Sequence, residues 1–197
     1  MRGKFFTFEG IDGSGKTTIS KMVYEDTRKR WDAVWTKEPT DGWLGKAVER
    51  AVEEGMDAAT VALLFAADRK EHLEGINNWL DEGKTVICDR YADSTIAYQA
   101  VNLAGIDESI KWLMDIHSPF YVEPDVTFLF VIDPSVAMNR IEGRNLSPFE
   151  KISFLEKVQE NYLRIAEGSK RFVKLDATES KEELKERCLK IIEEEMG

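Results

Sequence analysis

The chain has 197 residues, with 37 acidic against 27 basic side chains and a formal net charge of −10. That length supports one domain with a sizeable core and no comfortable second one, and the acidic balance disfavours a nucleic-acid polymer or an anionic membrane surface as partner. Two distant cysteines, Cys88 and Cys188, match no ligand spacing, suit neither a disulfide framework nor a zinc site, and fit a reducing compartment.

At the start, Met1-Arg2-Gly3-Lys4 passes straight into Phe5-Phe6-Thr7-Phe8. This leaves no room for the apolar stretch of a signal peptide, no later segment has the length of a membrane span, and a cytoplasmic location is expected. Phe5 to Phe8 reads as a buried strand, followed by helical periodicity through Ile19, Met22 and Val23. Ala33 to Thr36 reads as a second buried strand, and a longer helix carries Leu64, Leu73 and Leu80. Thr85 to Cys88 and Val126 to Ile132 follow as strands three and four. In "EGRNLSPFEK", Glu142 to Lys151, Gly143 and Pro148 interrupt two helical patterns and predict a mobile surface segment. Phe172 to Leu175 supplies the last strand, and Leu184, Cys188 and Ile191 the closing helix. Strand alternating with helix implies βαβ units, a mostly parallel sheet and helices on both faces.

The chemistry is concentrated first in "FEGIDGSGKTT", Phe8 to Thr18. Gly10, Gly15, Lys16 and Thr17 satisfy the spacing G-x-x-x-x-G-K-[ST], between a predicted strand and a predicted helix. Such a loop, here Gly10, Ile11, Asp12, Gly13, Ser14, Gly15, Lys16, Thr17 and Thr18, wraps backbone N–H groups around nucleotide phosphates, and the helix adds the positive end of its dipole. Lys16 would reach the β- and γ-phosphates, and Thr17 would ligate Mg²⁺. No Asn-Lys-x-Asp segment follows a later strand, which argues against a GTPase.

A transferase also needs a place for its acceptor. The strand "TVICD" ends in Asp89, followed by Arg90. A carboxylate at the C-terminal end of a parallel strand stands where open α/β sheets bind ligands and could hold Mg²⁺ directly or through water. Arg90 offers a planar fork for a phosphate. The two could instead pair with each other or cap a helix.

Taken together, "FEGIDGSGKTT", "TKEPTDGWLGK", "LLFAADR", "DRYADSTIAYQ", "NRIEGRNLSPFEK" and "LDAT" resemble the thymidylate kinase family over nearly the whole chain. The resemblance implies a three-layer α/β P-loop kinase fold, with a five-stranded parallel sheet flanked by helices and a short lid near 140–152 in a single domain. It implies transfer of phosphate from ATP to dTMP with Mg²⁺, and commonly a homodimer, for which an apolar face holding Leu63 and Leu64 could serve. By the same resemblance Phe65 stacks on thymine and Arg69 hydrogen-bonds its O4, while Asp12 takes the 3′-hydroxyl and Arg90 the acceptor phosphate. Ser94, Thr95 and Gln99 lie near the base, Tyr98 crowds out a ribose 2′-hydroxyl, and Glu38 with Pro39 flanks the acceptor. Lys37 stands where that family usually has arginine, and Gly13 puts the basic groups in the lid. There Arg144 and Lys151 are the transition-state cations, while Arg140 covers adenine with the backbone near Asp176 and Ala177.

A phosphate acceptor is already largely ionised near neutrality, so no general base is needed. This agrees with His72 and His117 matching no catalytic motif, which leaves them structural or surface roles. The tryptophans Trp31, Trp35, Trp43, Trp79 and Trp112 read as core or interface. Three alternatives stay open. One is a kinase for another nucleoside monophosphate, one a kinase for a hydroxyl acceptor with Glu9 as base, and one a non-enzymatic module gated by nucleotide.

Overall fold

The computed structural model describes residues 2–103, 108–141 and 148–197, with the backbone alone for 148–150. The strands are β1 (Phe5–Gly10), β2 (Ala33–Lys37), β3 (Thr85–Asp89), β4 (Val126–Val131) and β5 (Phe172–Asp176). The helices are α1 (Lys16–Thr27), α2 (Trp43–Glu53), α3 (Ala58–Asp81), α4 (Ala92–Asn102), α5 (Ser109–His117), α6 (Pro134–Asn139), α7 (Pro148–Ala166) and α8 (Lys181–Met196). All strand pairings are parallel and the sheet order is β2-β3-β1-β4-β5.

The central strands explain their own composition. With helices on both faces a parallel strand has no wet side, so β1 and β3 are buried at every position and lack polar alternation. Phe8 packs against Phe128 of β4 with ring centroids 4.9 Å apart, and Phe5 meets Tyr91 edge-on at 5.1 Å. The expectation that all five strands are buried does not hold at the edges. Every residue of β2 is only half-buried, and β5 exposes Lys174 and Asp176, because an edge strand has a neighbour on one side alone. In α8 the inward stripe is Leu184, Cys188 and Ile192, with Ile191 at its margin.

Helix α1 packs on α8, while α4 packs on α3, α5 and α7. Crossovers carry the chain from β1 outward to β2 and from β3 across to β4. Adjacent strands β1 and β3 therefore send their continuations in opposite directions and open a crevice at their carboxyl ends. Register places Phe8 beside Asp89 and Lys37 beside Asp89, so Glu9, Gly10, Glu38, Asp89 and Arg90 converge on that crevice.

A buried ion pair locks α4 onto the sheet. Arg171, just before β5, donates to both carboxylate oxygens of Asp93 at 2.9 and 2.8 Å, and also to the Thr127 hydroxyl. Helix α3 begins on Asp57, whose carboxylate accepts from the amides of Ala59 and Thr60, and α8 begins on a Ser180–Glu183 capping box.

Candidate active site

Helix α1 starts directly from the glycine-rich turn. Gly15 precedes it with φ at 87°, and a Cβ built there meets nothing within 4 Å, so the turn encloses open space above the helix N-terminus. Gly13 is constrained differently. Its φ is 82°, and a Cβ would stand 2.3 Å from the Ala137 carbonyl oxygen of α6.

The Lys16 side chain is buried, with Nζ donating to the Ile11 carbonyl at 3.3 Å and lying 4.0 Å from Asp12. Burial, with Arg90 nearby, pushes its pKa down to about 7 against the opposing pull of Asp12, Asp89 and Glu9. An ammonium held so reluctantly gains much from a polyphosphate. Beside it, Asp89 Oδ1 is buried with no hydrogen-bond partner, and Thr17 is exposed at the first turn of α1. An unmet carboxylate oxygen at the end of β3 and an exposed hydroxyl at the start of α1 are donor types that suit Mg²⁺, which takes few protein ligands and completes its shell with water and phosphate oxygens.

Asp89 and Arg90 do not pair with each other. Arg90 instead forms an ion pair with Asp12, donates to Ser94 Oγ at 3.0 Å and lies over the Tyr98 ring at 5.2 Å. Its φ of 69° is unusual for a residue with a side chain. Three contacts hold that turn: the Arg90 amide on the Phe8 carbonyl, the Cys88 thiol on the Arg90 carbonyl, and the Tyr91 amide on Glu9. A backbone strained at this point aims the guanidinium into the crevice.

Asp12, Glu38, Phe65, Arg69, Arg90, Ser94, Thr95, Tyr98 and Gln99 all line one cavity of about 620 Å³. The sequence therefore brings together nine residues scattered from the phosphate loop to α4. Phe65 is half-buried on its wall rather than lost in the core. Arg69, four residues on, is fully buried; it donates to Glu38 at 2.5 Å, to the Thr95 hydroxyl at 2.9 Å and to His117 Nε2. Its Nε–H has no partner. The Tyr98 hydroxyl accepts from the Asp12 amide at 2.9 Å, which ties the cavity wall to the phosphate loop.

Other assigned residues stand apart from this cavity. Arg140, at the end of α6, donates to the Ala177 carbonyl at 3.1 Å, which puts it over the turn after β5. Lys37 is taken by Asp41 at 2.7 Å. Lys151 lies in the first turn of α7, and Arg144 falls outside the described residues.

Sequence reasoning missed several neighbours. His72 and His117 are not idle: His72 bridges the Thr36 hydroxyl and Glu38 at 2.7 and 3.1 Å, and His117 meets Arg69. Tyr162 of α7 donates to Glu9 at 3.0 Å, Phe154 closes the cavity beside Tyr98, and Asp68 accepts from the Thr40 amide at 2.8 Å. A periodic apolar pattern could have placed Phe154 on a face of α7, but nothing local marks the others.

A glycine-rich turn opening onto the N-terminus of α1, a buried lysine and an unmet carboxylate at the switch point of a five-stranded parallel sheet define a P-loop nucleotide-binding protein of the kinase type. The thymidylate kinase family model matches residues 8–188. A probable thymidylate kinase of Methanosarcina mazei is 44% identical over 196 residues, covering 96% of this chain and 95% of the relative. Probable thymidylate kinases of Methanosarcina acetivorans and Methanocaldococcus jannaschii are 45% and 43% identical, covering 93% and 88% of the chain and 92% and 87% of those relatives. The chain belongs to the thymidylate kinase family.

Proposed function

We propose that the chain transfers the γ-phosphate of ATP to dTMP, giving dTDP and ADP. The observation that carries this reading is one cavity lined both by Asp12 of the phosphate loop, paired with Arg90 after β3, and by Phe65 with a buried Arg69 whose donors are not all met. An aromatic face and a cationic donor suit a thymine ring bearing a carbonyl oxygen. Arg90 then takes the acceptor phosphate, and Asp12, relieved of its pairing with Arg90, faces the 3′-hydroxyl. Tyr98 walls off the sugar, with Ser94, Thr95 and Gln99 completing that side and Glu38 anchoring Arg69.

On the donor side the amides from Gly10 to Thr18 cradle the phosphates and Lys16 spreads the charge of the moving group. Thr17 and Asp89 would hold Mg²⁺, which would supply charge neutralisation to the phosphates. Arg140 covers adenine, and a lid over 140–152 brings Arg144 and Lys151 toward the transferred group and excludes water. The acceptor oxygen is already ionised, so alignment and charge neutralisation suffice. A hydroxyl acceptor is less well served. Glu9 is fully buried, is not among the residues lining the cavity, and already accepts from the Ser94 hydroxyl, the Tyr91 amide and Tyr162.

The proposal extends to a single domain acting in the cytoplasm, a setting that its two buried free cysteines suit. It also takes the active form to be a homodimer packed through α3, where Leu63 is 52% exposed. No described helix is long and apolar enough to cross a membrane.

Binding by Arg69→Ala tests the acceptor half. It is expected to lose dTMP affinity by ~100-fold while ATP affinity stays within about twofold; equal loss of both nucleotides would refute the thymine assignment.

A further inference from the structure

His117 is the last residue of α5, 48 positions from Arg69, and sits 2% exposed against the guanidinium. Its Nδ1 lies 2.6 Å from the Leu113 carbonyl, which can only accept, so Nδ1 carries the hydrogen and Nε2 presents a lone pair. Arginine can only donate, so the two contacts together admit a single state of the ring: neutral, with Nε2 as acceptor. Burial and the Arg69 charge push the His117 pKa down to about 4, in agreement with that state. Phe120 meets the imidazole edge-on at 5.9 Å and fixes its plane.

The guanidinium is consequently fixed from several sides. Glu38 holds it from the β2 end and is itself fixed by His72. Thr95 holds it from α4, His117 from α5, and the Tyr91 ring lies against it at 5.2 Å. With three of its five N–H groups committed in set directions, the guanidinium of Arg69, a residue of the cavity lining, keeps donor capacity for an acceptor brought against it. A ring carbonyl satisfies such a donor. An exocyclic amino group brings its own hydrogens toward a permanent cation and leaves the donor unmet.

We infer that His117 is a positioning residue for substrate choice: by accepting from Arg69 it orients the guanidinium so that a 4-oxo pyrimidine monophosphate is selected over its 4-amino counterpart. This rests on the proposed thymidylate kinase function. Without the histidine, Glu38 and Thr95 both hold Nη2 and nothing holds Nη1, so the guanidinium can turn about that nitrogen to meet Glu38 more fully and withdraw its free donor.

The test is steady-state kinetics of His117→Leu and His117→Gln with dTMP and with 5-methyl-dCMP, which differ in the 4-oxo or 4-amino group and in the N3 hydrogen that goes with it, after a thermal melt establishes that each variant folds. For His117→Leu the expected result is a rise in KM for dTMP of ~10-fold or more, kcat and KM for ATP within about twofold, and a ~10-fold fall in the preference for dTMP. His117→Gln, which keeps an acceptor oxygen, is expected to regain part of that preference. A folded His117→Leu with unchanged preference overturns the inference, as does a loss spread equally over ATP and dTMP. If only His117→Gln folds, its selectivity decides in the same way, with an unchanged preference and an unchanged Arg69 Nε–H relaxation overturning the inference. If the wild-type protein itself ignores dTMP, the proposed function fails and substrate selection through His117 fails with it. NMR relaxation of the Arg69 Nε–H in the ligand-free protein then tests the orienting role alone, with greater mobility in the variants expected and unchanged mobility refuting it.

Discussion

The hydroxyl of Tyr98 accepts a hydrogen bond from the Asp12 amide at 2.9 Å, which ties the wall of the acceptor cavity to the phosphate loop. Tyr98→Phe removes that acceptor but keeps the ring over Arg90. Loss of about 1 kcal/mol predicts KM values up by ~5-fold for both nucleotides, with discrimination against the ribonucleotide retained. Tyr98→Ala, which removes the wall, is expected to lower that discrimination by ~10-fold or more. Kinetics with dTMP and its ribose counterpart check both.

Gly13 is closed to a side chain by the helix that packs on it. A Cβ at this position would press into the Ala137 carbonyl at 2.3 Å in a conformation with φ of 82°. Backbone cannot yield cheaply there, so Gly13→Arg is predicted to destabilise the fold by about 2 kcal/mol or more and to lower turnover instead of adding a useful cation. A Gly13→Arg protein with unchanged melting temperature and normal turnover would contradict the packing of α6 on the loop.

Lys16 gives a pH signature. Its free pKa near 7 reflects burial and Arg90, against Asp12, Asp89 and Glu9, and a bound polyphosphate raises it. Binding therefore takes up a proton above pH 7, and ATP affinity falls as pH rises, by ~5-fold between pH 7 and 8. Calorimetry in buffers of different ionisation enthalpy measures the uptake directly. Lys16→Arg, which stays charged throughout, is expected to abolish the uptake, and Lys16→Ala to abolish turnover.

Stability depends on Asp93 and Arg171, whose side chains are 2% and 11% exposed. Arg171→Met strands a buried carboxylate and is predicted to cost about 3 kcal/mol, a fall in melting temperature of ~10 °C. Asp93→Asn combined with Arg171→Met should cost less than the two single changes added together, because the second substitution removes the group the first left unpaired. Strict additivity in denaturant unfolding would show that the pair is not coupled.

Much of this architecture was legible because it is local. The strand runs at Phe5, Ala33, Thr85, Val126 and Phe172 all begin where the structure begins its strands, since β-branched and aromatic clusters between helical patterns are a short-range signal. The phosphate loop was legible for the same reason, its glycines and lysine being fixed by spacing. Phe65 and Arg69 came from the family resemblance, and their four-residue separation placed them on one face of α3. Edge exposure of β2 was not legible, because strand order is set by crossovers that no single segment encodes. Trp43, expected in core or interface, lies outside the core, 71% exposed at the start of α2. His117 and Tyr162 reach the site only through the tertiary fold, 48 and 153 residues from the groups they touch, and neither stands in a motif.

The most direct measurement is ADP release with Mg-ATP against dTMP, dUMP, UMP, dCMP, dGMP and thymidine, with the phosphorylated product identified. The account predicts turnover of dTMP far above the others and dTDP as the product. Turnover of thymidine alone would contradict the placement of Arg90 on an acceptor phosphate, and ATP binding with no turnover of any acceptor would contradict the assignment as a kinase.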